Sequence, residues 1–444
     1  MARTNNYLIL SLAVLVLFFA SSCEKQTFLT ARPFSGNDVL YTTALPSADG
    51  ADTDSVFVVC NDSWLKLNSG AFKLNVFVSG REGSMELPYR LYKDLDLMDS
   101  EAKALKEGSV IVLKKAGCYT SLNISLGKLD PGFYQVNLGD SLSFNIGVKP
   151  ELVASPVDAP EDFDAFWEQT LAELDQVPMD AEWTFIPEHS SELRKCYELR
   201  IASLDGGIMG GRIYIPEAEG RFPVRLEYMG YGGEPYWHDP NANPERIDFL
   251  VSVRDQGIFK GDQDRWIDRG LNSRDEFYYR GAFCDVARAV DFAASLPKAD
   301  TTRFVAFGES QGGAFTWISA ALRPMIKGIA PGVPFLGDYE HYGQIVWWPV
   351  HEMYETADAE GIDRAELLDM LRYFDVKNFT PRITCPVLMG FGLQDPVCPP
   401  HTNFSEFNNC ASADKRWHCV AWCGHGMWLE PTWRDLKEEF LNQF

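Results

Sequence analysis

Short strands separated by turn residues dominate the first third of the chain. In residues 72–78, Phe72, Leu74 and Val76 alternate with Lys73 and Asn75, which is the pattern of a half-buried strand. Comparable runs, bounded by Gly, Asp, Asn and Pro, occur at residues 55–60, 86–92, 109–113, 119–126, 132–138 and 142–148. About seven short strands in succession predict a small all-β, immunoglobulin-like sandwich over residues 27–149.

Residues 150–444 follow a different pattern. A proline-containing linker at 149–160 leads into a helix whose apolar residues Phe163, Phe166, Trp167 and Leu171 recur at helical spacing. Strands are predicted at 194–203, 211–216, 224–228, 247–253, 304–307, 386–391 and 415–421, and further helices at 276–296, after residue 310 and at 428–440. This alternation predicts an α/β fold with a mostly parallel sheet between helices.

One serine stands at a strand-to-helix turn. The sequence Gly308-Glu309-Ser310-Gln311-Gly312 follows the strand at 304–307 and precedes a helix. Such a turn exposes the serine hydroxyl at the end of the sheet, although the motif also occurs in ordinary Gly-Ser loops. In a sheet of this kind the motif indicates an α/β-hydrolase with Ser310 as the nucleophile.

A serine nucleophile needs a base and an acid, in the chain order Ser, acid, His for this fold. His425 lies between two glycines after the strand at 415–421, and Asp395 follows the strand at 386–391. Functional groups collect at such strand ends, so we predict His425 as the base and Asp395 as the acid. Asp338 and Asp375 are weaker alternatives for the acid.

The remaining histidines have simpler interpretations. We expect His401, which follows two prolines, to begin a helix and face solvent. His341, His351 and His418 are expected to be structural.

An oxyanion hole requires two backbone N–H donors. The residue after the nucleophile, Gln311, should supply one, and Tyr231, in the glycine-rich stretch 229–233, the other. Aromatic residues could form a wall against a sugar ring, or they could be core packing. They are Tyr231, Tyr236, Trp237, Trp347 and Trp348.

Charge narrows the range of partners. The 444 residues carry a formal net charge of −23 and contain no long basic stretch. Nucleic-acid binding depends on clustered Lys and Arg, so we predict no nucleic-acid partner, and polyanionic substrates are disfavoured. A neutral substrate such as an oligosaccharide fits better.

The N-terminus has the pattern of a targeting segment. The apolar run at 7–20 is short for a membrane span and is typical of a secretory signal. Cys23 follows two serines, as at a bacterial lipoprotein cleavage site, although Ala20 stands where such sites usually have Leu. We predict a signal peptide at 1–23, lipidation of Cys23, and an outer-membrane or cell-surface lipoprotein of a Gram-negative bacterium, touching the membrane only through its anchor. A plain signal peptide and a periplasmic location are the alternatives.

The ten cysteines do not indicate a metal site. Without Cys23 their number is odd, so at least one should stay unpaired within the chain. A disulfide among Cys410, Cys419 and Cys423 is plausible, and Cys60 and Cys118 are either thiols or a bridge. Because no C-x-x-C pair or zinc-finger spacing occurs, we expect no structural metal and no cofactor.

Ordered motifs over residues 156–444 resemble those of the acetyl xylan esterase / cephalosporin C deacetylase family. They are Asp162-Phe163-Asp164-x-Phe166-Trp167, Gly230-Tyr231, Arg254-Asp255-Gln256-Gly257, Tyr278-Tyr279-Arg280, Gly308-x-Ser310-Gln311-Gly312-Gly313, Val333-Pro334-Phe335-Leu336, Tyr373-Phe374-Asp375 and Asp395-x-x-Cys398-Pro399-Pro400. Three positions depart from the family pattern: Met229 replaces a His, Asp255 a Gly and Gly426 a Glu.

The resemblance implies a metal-free serine hydrolase that removes acetyl groups from acetylated xylo-oligosaccharides and similar small substrates. It implies the triad Ser310, Asp395 and His425, with Tyr231 and Gln311 as backbone donors. The added N-terminal β region leaves the family's oligomeric state open for this chain. The alternatives are a carbohydrate esterase with another acyl preference and a non-catalytic surface glycan-binding lipoprotein.

Overall fold

The computed structural model describes residues 41–42, 55–59, 62–139, 142–262 and 265–444. The predicted signal peptide, Cys23 and Cys60 lie outside these residues. Within the described part, no helix is both long and apolar enough to cross a membrane.

The N-terminal region is built from strands. They are β1 Tyr41–Thr42, β2 Ser55–Val59, β3 Leu65–Lys66, β4 Phe72–Ser79, β5 Gly83–Lys93, β6 Lys106–Lys114, β7 Thr120–Gly127, β8 Gly132–Leu138 and β9 Leu142–Val148. They form two sheets, in the orders β1-β2-β4-β7 and β3-β9-β8-β5-β6. The alternating pattern of β4 buries Leu74 and Val76, and Trp64 stacks on Phe144 with ring centroids 4.3 Å apart. The predicted strands are therefore present, while an immunoglobulin-like topology stays a prediction.

The C-terminal region alternates strands and helices. Its elements are α1 Phe163–Asp175, β10 Glu182–Phe185, β11 Arg194–Ala202, β12 Ile208–Pro216, β13 Phe222–Tyr228, β14 Ile247–Ser252, α2 Tyr278–Ser295, β15 Ala299–Glu309, α3 Gln311–Leu322, β16 Ile326–Gly332, α4 Tyr339–Ile345, α5 Val350–Glu360, α6 Arg364–Leu371, β17 Val387–Gly392, α7 Pro400–Asn409, β18 Lys415–Val420 and α8 Pro431–Leu441.

These strands form one sheet in the order β10-β11-β12-β14-β13-β15-β16-β17-β18. The pairs from β10 to β14 are antiparallel, and all neighbours from β14 to β18 are parallel. Helices cover both faces of the parallel part of the sheet, and β14 and β17 are buried along their whole length. The predicted α/β-hydrolase fold is confirmed.

Two strands of the main sheet escaped prediction for physical reasons. β10 is only four residues long and all of its side chains are exposed, so it gives little sequence signal of a half-buried strand. β16 contains Pro331 and two glycines, residues that argue against a central strand in a sequence pattern.

Two expectations are wrong, one about His401 and one about a disulfide. His401 begins α7 as predicted, but it is buried rather than solvent-facing, because its Nδ1 lies 2.8 Å from Oδ2 of Asp94 in the N-terminal region. Cys410 and Cys423 carry free thiols, so the disulfide among Cys410, Cys419 and Cys423 is not formed. These cysteines lie on different elements, and closeness in sequence does not bring their sulfurs together. Cys118, in contrast, is disulfide-bonded.

The two regions pack against each other through α7 and the loop before α1. Phe133 of β8 contacts Phe404 of α7 with ring centroids 5.8 Å apart. The Asn408 side chain donates to the carbonyls of Pro150 and Val153 at 3.1 and 3.0 Å. The helix that follows the Asp395 loop is thus covered by the N-terminal region.

A close backbone approach in the main sheet lies where β13 meets the start of α3. A Cβ added at Gly312 would lie 2.0 Å from the carbonyl oxygen of Tyr228, and one at Gly308 would lie 2.5 Å from the same atom. Both neighbours are backbone, so a side chain at either position would force the strand and helix apart.

We therefore expect Gly312→Ala to lower the free energy of unfolding by about 3 kcal/mol, the upper part of the range for overpacking. Urea unfolding measures this. Gly261→Ala is the matched control, because nothing lies within 4 Å of its added Cβ. Equal unfolding midpoints for the two variants would contradict the close approach.

Candidate active site

Ser310 occupies the turn between β15 and α3 in a backbone conformation that few residues adopt. Its φ is 59° and its ψ is −123°. Its N–H donates to the Gly332 carbonyl at 3.0 Å, and its carbonyl accepts from the Phe335 N–H at 3.2 Å. These two bonds to the loop after β16 hold the strained turn in place and keep the side chain at the sheet's edge.

The structure brings Ser310, His425 and Asp395 together. His425 Nε2 lies 3.1 Å from Ser310 Oγ, and His425 Nδ1 lies 2.9 Å from Asp395 Oδ2. His425 stands in the loop between β18 and α8, and Asp395 in the loop after β17, so all three residues meet at the carboxyl ends of parallel strands. The arrangement is that of a nucleophile, a base and an orienting acid.

Asp395 is the carboxylate that faces the histidine, and it is 1% exposed. Its Oδ1 accepts from the backbone N–H groups of Val397 and Cys398 at 2.8 and 2.9 Å, which hold the carboxylate in place. The alternatives belong elsewhere: Asp338 pairs with Lys377, and Asp375 accepts from the backbone N–H of Asp338.

Opposing effects act on the pKa of His425, the predicted base. Burial acts to lower the pKa of His425, whereas Cys398 and Asp395 act to raise it, and the resulting pKa lies above the usual value for histidine. Burial raises the pKa of the Cys398 thiol, so that neighbour stays protonated at neutral pH. Asp395 is therefore the anion that stabilises the imidazolium form of His425.

The glycine-rich loop after β13 passes directly beside the nucleophile. A Cβ added at Gly230 would lie 4.0 Å from the Cβ of Ser310, and the loop turns through a bond from Gly233 N–H to the Gly230 carbonyl at 2.9 Å. Tyr231 lies in this turn. Gln311 is the first residue of α3, where the amide has no acceptor within the helix. The two predicted oxyanion donors thus belong to segments on either side of Ser310.

A cleft of about 720 Å³ opens beside Ser310. Its lining includes Met229 and the aromatic side chains of Tyr236, Trp237 and Trp428. Trp428 meets His425 edge to face, with ring centroids 5.4 Å apart. Sequence reasoning missed Trp428, because a tryptophan three residues after a histidine carries no signal of its own.

The other predicted aromatic residues lie to one side of this cleft. Trp348 stacks on Phe335 with centroids 5.0 Å apart and meets Tyr231 at 5.6 Å. The Tyr231 hydroxyl accepts from Trp266 N–H at 2.8 Å, which ties that ring to the scaffold. Trp347 is 44% exposed and packs on a neighbouring histidine. Substrate binding by Tyr231, Trp347 and Trp348 stays a prediction.

Comparison with known proteins decides the family. The acetyl xylan esterase family profile matches residues 154–432, more than half of the chain. The chain belongs to the acetyl xylan esterase family. It is accordingly a hydrolase, and its class is carbohydrate esterase.

The relatives agree with this membership. Acetyl esterase Axe7A of Xylanibacter ruminicola is 25% identical over 367 residues, which cover 74% of this chain and 76% of the relative. The crystal structure of acetyl xylan esterase 1 from Thermoanaerobacterium sp. JW/SL YS485 is 27% identical, with a TM-score of 0.60 over 66% of this chain and 96% of that one. An acetyl xylan esterase from Paenibacillus sp. R4 is 25% identical, with a TM-score of 0.61 over 67% and 98%.

Gln256 joins the two segments that carry the predicted oxyanion donors, the glycine-rich loop and the start of α3. Sequence analysis placed Gln256 in a motif but assigned it no role. Its Oε1 accepts from Gly232 N–H at 2.8 Å and from Gln311 Nε2 at 2.9 Å, and its Nε2 donates to the Tyr278 hydroxyl at 2.9 Å. The Tyr279 hydroxyl donates to Gln311 Oε1 at 2.9 Å. This buried network fixes the glycine-rich loop against the first turn of α3, and so positions both predicted donors.

One departure from the family pattern has a structural explanation. Asp255 replaces a glycine and adopts a left-handed φ of 60°, a conformation that Asp tolerates better than most residues. Its carboxylate pairs with Arg269 at 3.1 Å, and the preceding Arg254 pairs with Asp285 at 2.7 Å. The backbone path that the motif requires is therefore kept.

The residue before the acid links the site to the N-terminal region. Gln394 Oε1 accepts from the backbone N–H of Asn145 at 2.7 Å, and its Nε2 donates to the carbonyls of Asn145 and Ala421 at 3.0 Å each. The Gln394 N–H also donates to the Cys423 carbonyl at 2.9 Å. Strand β9 thus supports the loop that carries Asp395.

We expect Gln394→Ala to lower the free energy of unfolding by about 2 kcal/mol, because it removes three hydrogen bonds and leaves partly buried backbone groups unpaired. Thermal and urea unfolding measure the loss. Gln169→Ala, at an exposed helical position, is the control and should stay within about 0.5 kcal/mol of wild type. The support by β9 is refuted if both variants unfold like the wild type.

Proposed function

We propose that this protein is a serine esterase that removes O-acetyl groups from acetylated xylan, xylo-oligosaccharides or similar small substrates through an acyl-enzyme. The observation that carries the proposal is the hydrogen-bonded series Ser310 Oγ, His425 and Asp395, with separations of 3.1 and 2.9 Å, at the nucleophile turn. Membership of the acetyl xylan esterase family supports the choice of substrate.

In the first half-reaction Ser310 Oγ attacks the acetyl carbonyl carbon while His425 Nε2 takes the hydroxyl proton. The carbonyl oxygen becomes an oxyanion, which the amides of Gln311 and Tyr231 stabilise. Collapse of this intermediate breaks the ester bond. His425 gives its proton to the leaving sugar oxygen, and the acetyl group stays on Ser310.

The second half-reaction repeats these steps with water. His425 takes a proton from water, the hydroxide attacks the acetyl carbonyl, and the bond to Ser310 Oγ breaks. The proton returns to Ser310, and acetate leaves. Asp395 stays ionised throughout and stabilises the imidazolium form of His425 in both halves.

The cleft supports a neutral, ring-shaped leaving group. Tyr236, Trp237 and Trp428 give its wall flat apolar surfaces, which suit a sugar ring. The formal net charge of −23 disfavours anionic substrates. Trp428 borders His425, so a sugar that leans on this ring would hold its ester oxygen near Nε2.

We also propose that the protein is exported across the inner membrane. The apolar run at 7–20, followed by Cys23, supports secretion and lipid anchoring of the protein at the outer membrane or cell surface. Large acetylated glycans are accessible at that location.

We expect Ser310→Ala to reduce acetate release from acetylated xylo-oligosaccharides by a factor on the order of 10⁴ or more, because the acyl-enzyme cannot form. Ser319→Ala in the same helix is the matched control, since its hydroxyl donates to the Thr316 carbonyl and has no contact with His425 or Asp395. An enzymatic acetate assay measures both. Full activity of Ser310→Ala, or failure of a phosphonate probe to label Ser310 in the folded wild type, would defeat the mechanism.

The acyl preference is tested with acetyl, propionyl and longer esters of one alcohol. Acetyl esters should have the highest kcat/KM. A preference for long acyl chains would sink the assignment of a deacetylase while leaving the serine mechanism intact.

The pH profile tests the role of Asp395. The base acts when neutral, so activity falls as the pH drops through the pKa of His425, which Asp395 helps to raise. We expect Asp395→Asn to move the acidic limb of kcat/KM to lower pH and to reduce the maximal rate on the order of 10⁴-fold. The exposed Asp435→Asn is the control. An unmoved acidic limb in Asp395→Asn would contradict this electrostatic role.

A further inference from the structure

A second group of ionisable side chains lies where the N-terminal region meets the hydrolase region. Asp338, His341 and His401 each offer one ligand atom, and these atoms lie within 4.8 Å of one another. Asp338 and His401 are buried. None of the three takes part in the proposed ester hydrolysis.

Asp338 and His341 are arranged as a chelating pair. Asp338 caps the N-terminus of α4, and His341 follows three residues later on the same side of that helix. Asp338 Oδ2 and His341 Nδ1 are 2.9 Å apart. Two atoms at this separation can bind one metal ion after a small widening, since ligands around a tetrahedral ion lie about 3.3 Å apart.

His401, at the start of α7, supplies the third ligand from another segment. Its Nδ1 faces Asp94 Oδ2 at 2.8 Å, so this nitrogen carries the proton and donates to the carboxylate. Its Nε2 is then left with a lone pair, and among the described residues it has no hydrogen-bond partner although the side chain is only 6% exposed. Metal-binding histidines have the same arrangement: one ring nitrogen donates to a carboxylate, and the other is free to bind the metal.

We propose that Asp338, His341 and His401 bind a divalent transition metal, most favourably Zn²⁺. Two imidazole nitrogens and one carboxylate oxygen form a donor set that suits Zn²⁺ and does not suit Ca²⁺ or Mg²⁺. The fourth position is open to water, because the His341 side chain is 25% exposed. When the ion binds, the His401 ring moves toward Asp338 and His341, so that the distances between the three ligand atoms become shorter.

Neighbouring groups support the carboxylate in this role. The Ser155 hydroxyl donates to Asp338 Oδ2 at 2.6 Å, and Lys377 Nζ donates to Oδ1 at 3.0 Å. These bonds hold Asp338 ionised and oriented toward His341. A metal-free network of ion pairs is the competing description, and it leaves His401 Nε2 buried and unpaired, which is unfavourable.

The site would fasten three segments that matter for the hydrolase. Asp338 follows the loop that bonds to the Ser310 turn, and His401 follows the Asp395 loop. Between them, the Tyr342 hydroxyl donates to the Val397 carbonyl at 2.5 Å. Asp94 brings in the N-terminal region. Bound Zn²⁺ should therefore raise the melting temperature of the whole chain.

The experiment uses the full chain without a histidine tag, stripped with a chelator and then titrated with ZnCl₂. We expect about one Zn²⁺ per chain by mass spectrometry of metals, and a Tm that rises with Zn²⁺ and falls again with EDTA. His341→Gln and His401→Gln should each lose this binding and this rise. His189→Gln is the matched control, because that histidine stacks on Trp237 away from the group.

Absence of stoichiometric Zn²⁺ in the wild type overturns the proposal, and so does wild-type binding by either glutamine variant. If a variant fails to fold, the wild type loaded with Co²⁺ decides. Strong visible absorption, typical of a four-coordinate site and displaced by one equivalent of Zn²⁺, supports the proposal, and weak six-coordinate bands overturn it. None of these readouts depends on esterase activity, so they stand apart from the proposed function.

Discussion

The approach of the Tyr228 carbonyl to the first turn of α3 is the constraint on which the site depends. Gly308 and Gly312 permit this approach because neither carries a Cβ. The turn between them forces Ser310 into a backbone conformation that few residues adopt, and it brings the glycine-rich loop after β13 alongside the nucleophile. The serine, the oxyanion segments and the adjoining cleft are thus consequences of one packing contact.

The site also depends on the position of a buried carboxylate, that of Asp395. Asp395 accepts from two backbone N–H groups and faces His425 Nδ1, and its loop is held in place by Gln394. Gln394 bonds to β9, so the N-terminal region supports the proposed catalytic acid although it contributes no side chain to the proposed triad. The added β region is part of the scaffold of this esterase, which explains why its core is continuous with that of the hydrolase region.

Sequence reasoning succeeded where the signal was local. Ser310, Asp395 and His425 each follow a recognisable strand, and the order of these strands in a hydrolase sheet places their ends at one edge. It failed where the local signal was weak or misleading. Pro331 and the glycines concealed β16, and two prolines made His401 look like an exposed helix start. The expectation of no structural metal rested on spacing along the chain, which does not reveal ligands from separate segments, and it stays a prediction beside the proposed Zn²⁺ site.

The sequence by itself determined most of the strands, several helices, the turn at Ser310 and the family, because apolar periodicity and glycine spacing are properties of short stretches. Only the tertiary structure decided which distant groups meet. Gln256 with Gln311, Gln394 with Asn145 and His401 with Asp94 are such pairs. Most of these partners are far apart along the chain, and their meeting depends on how the sheets and helices pack rather than on any pattern within one segment.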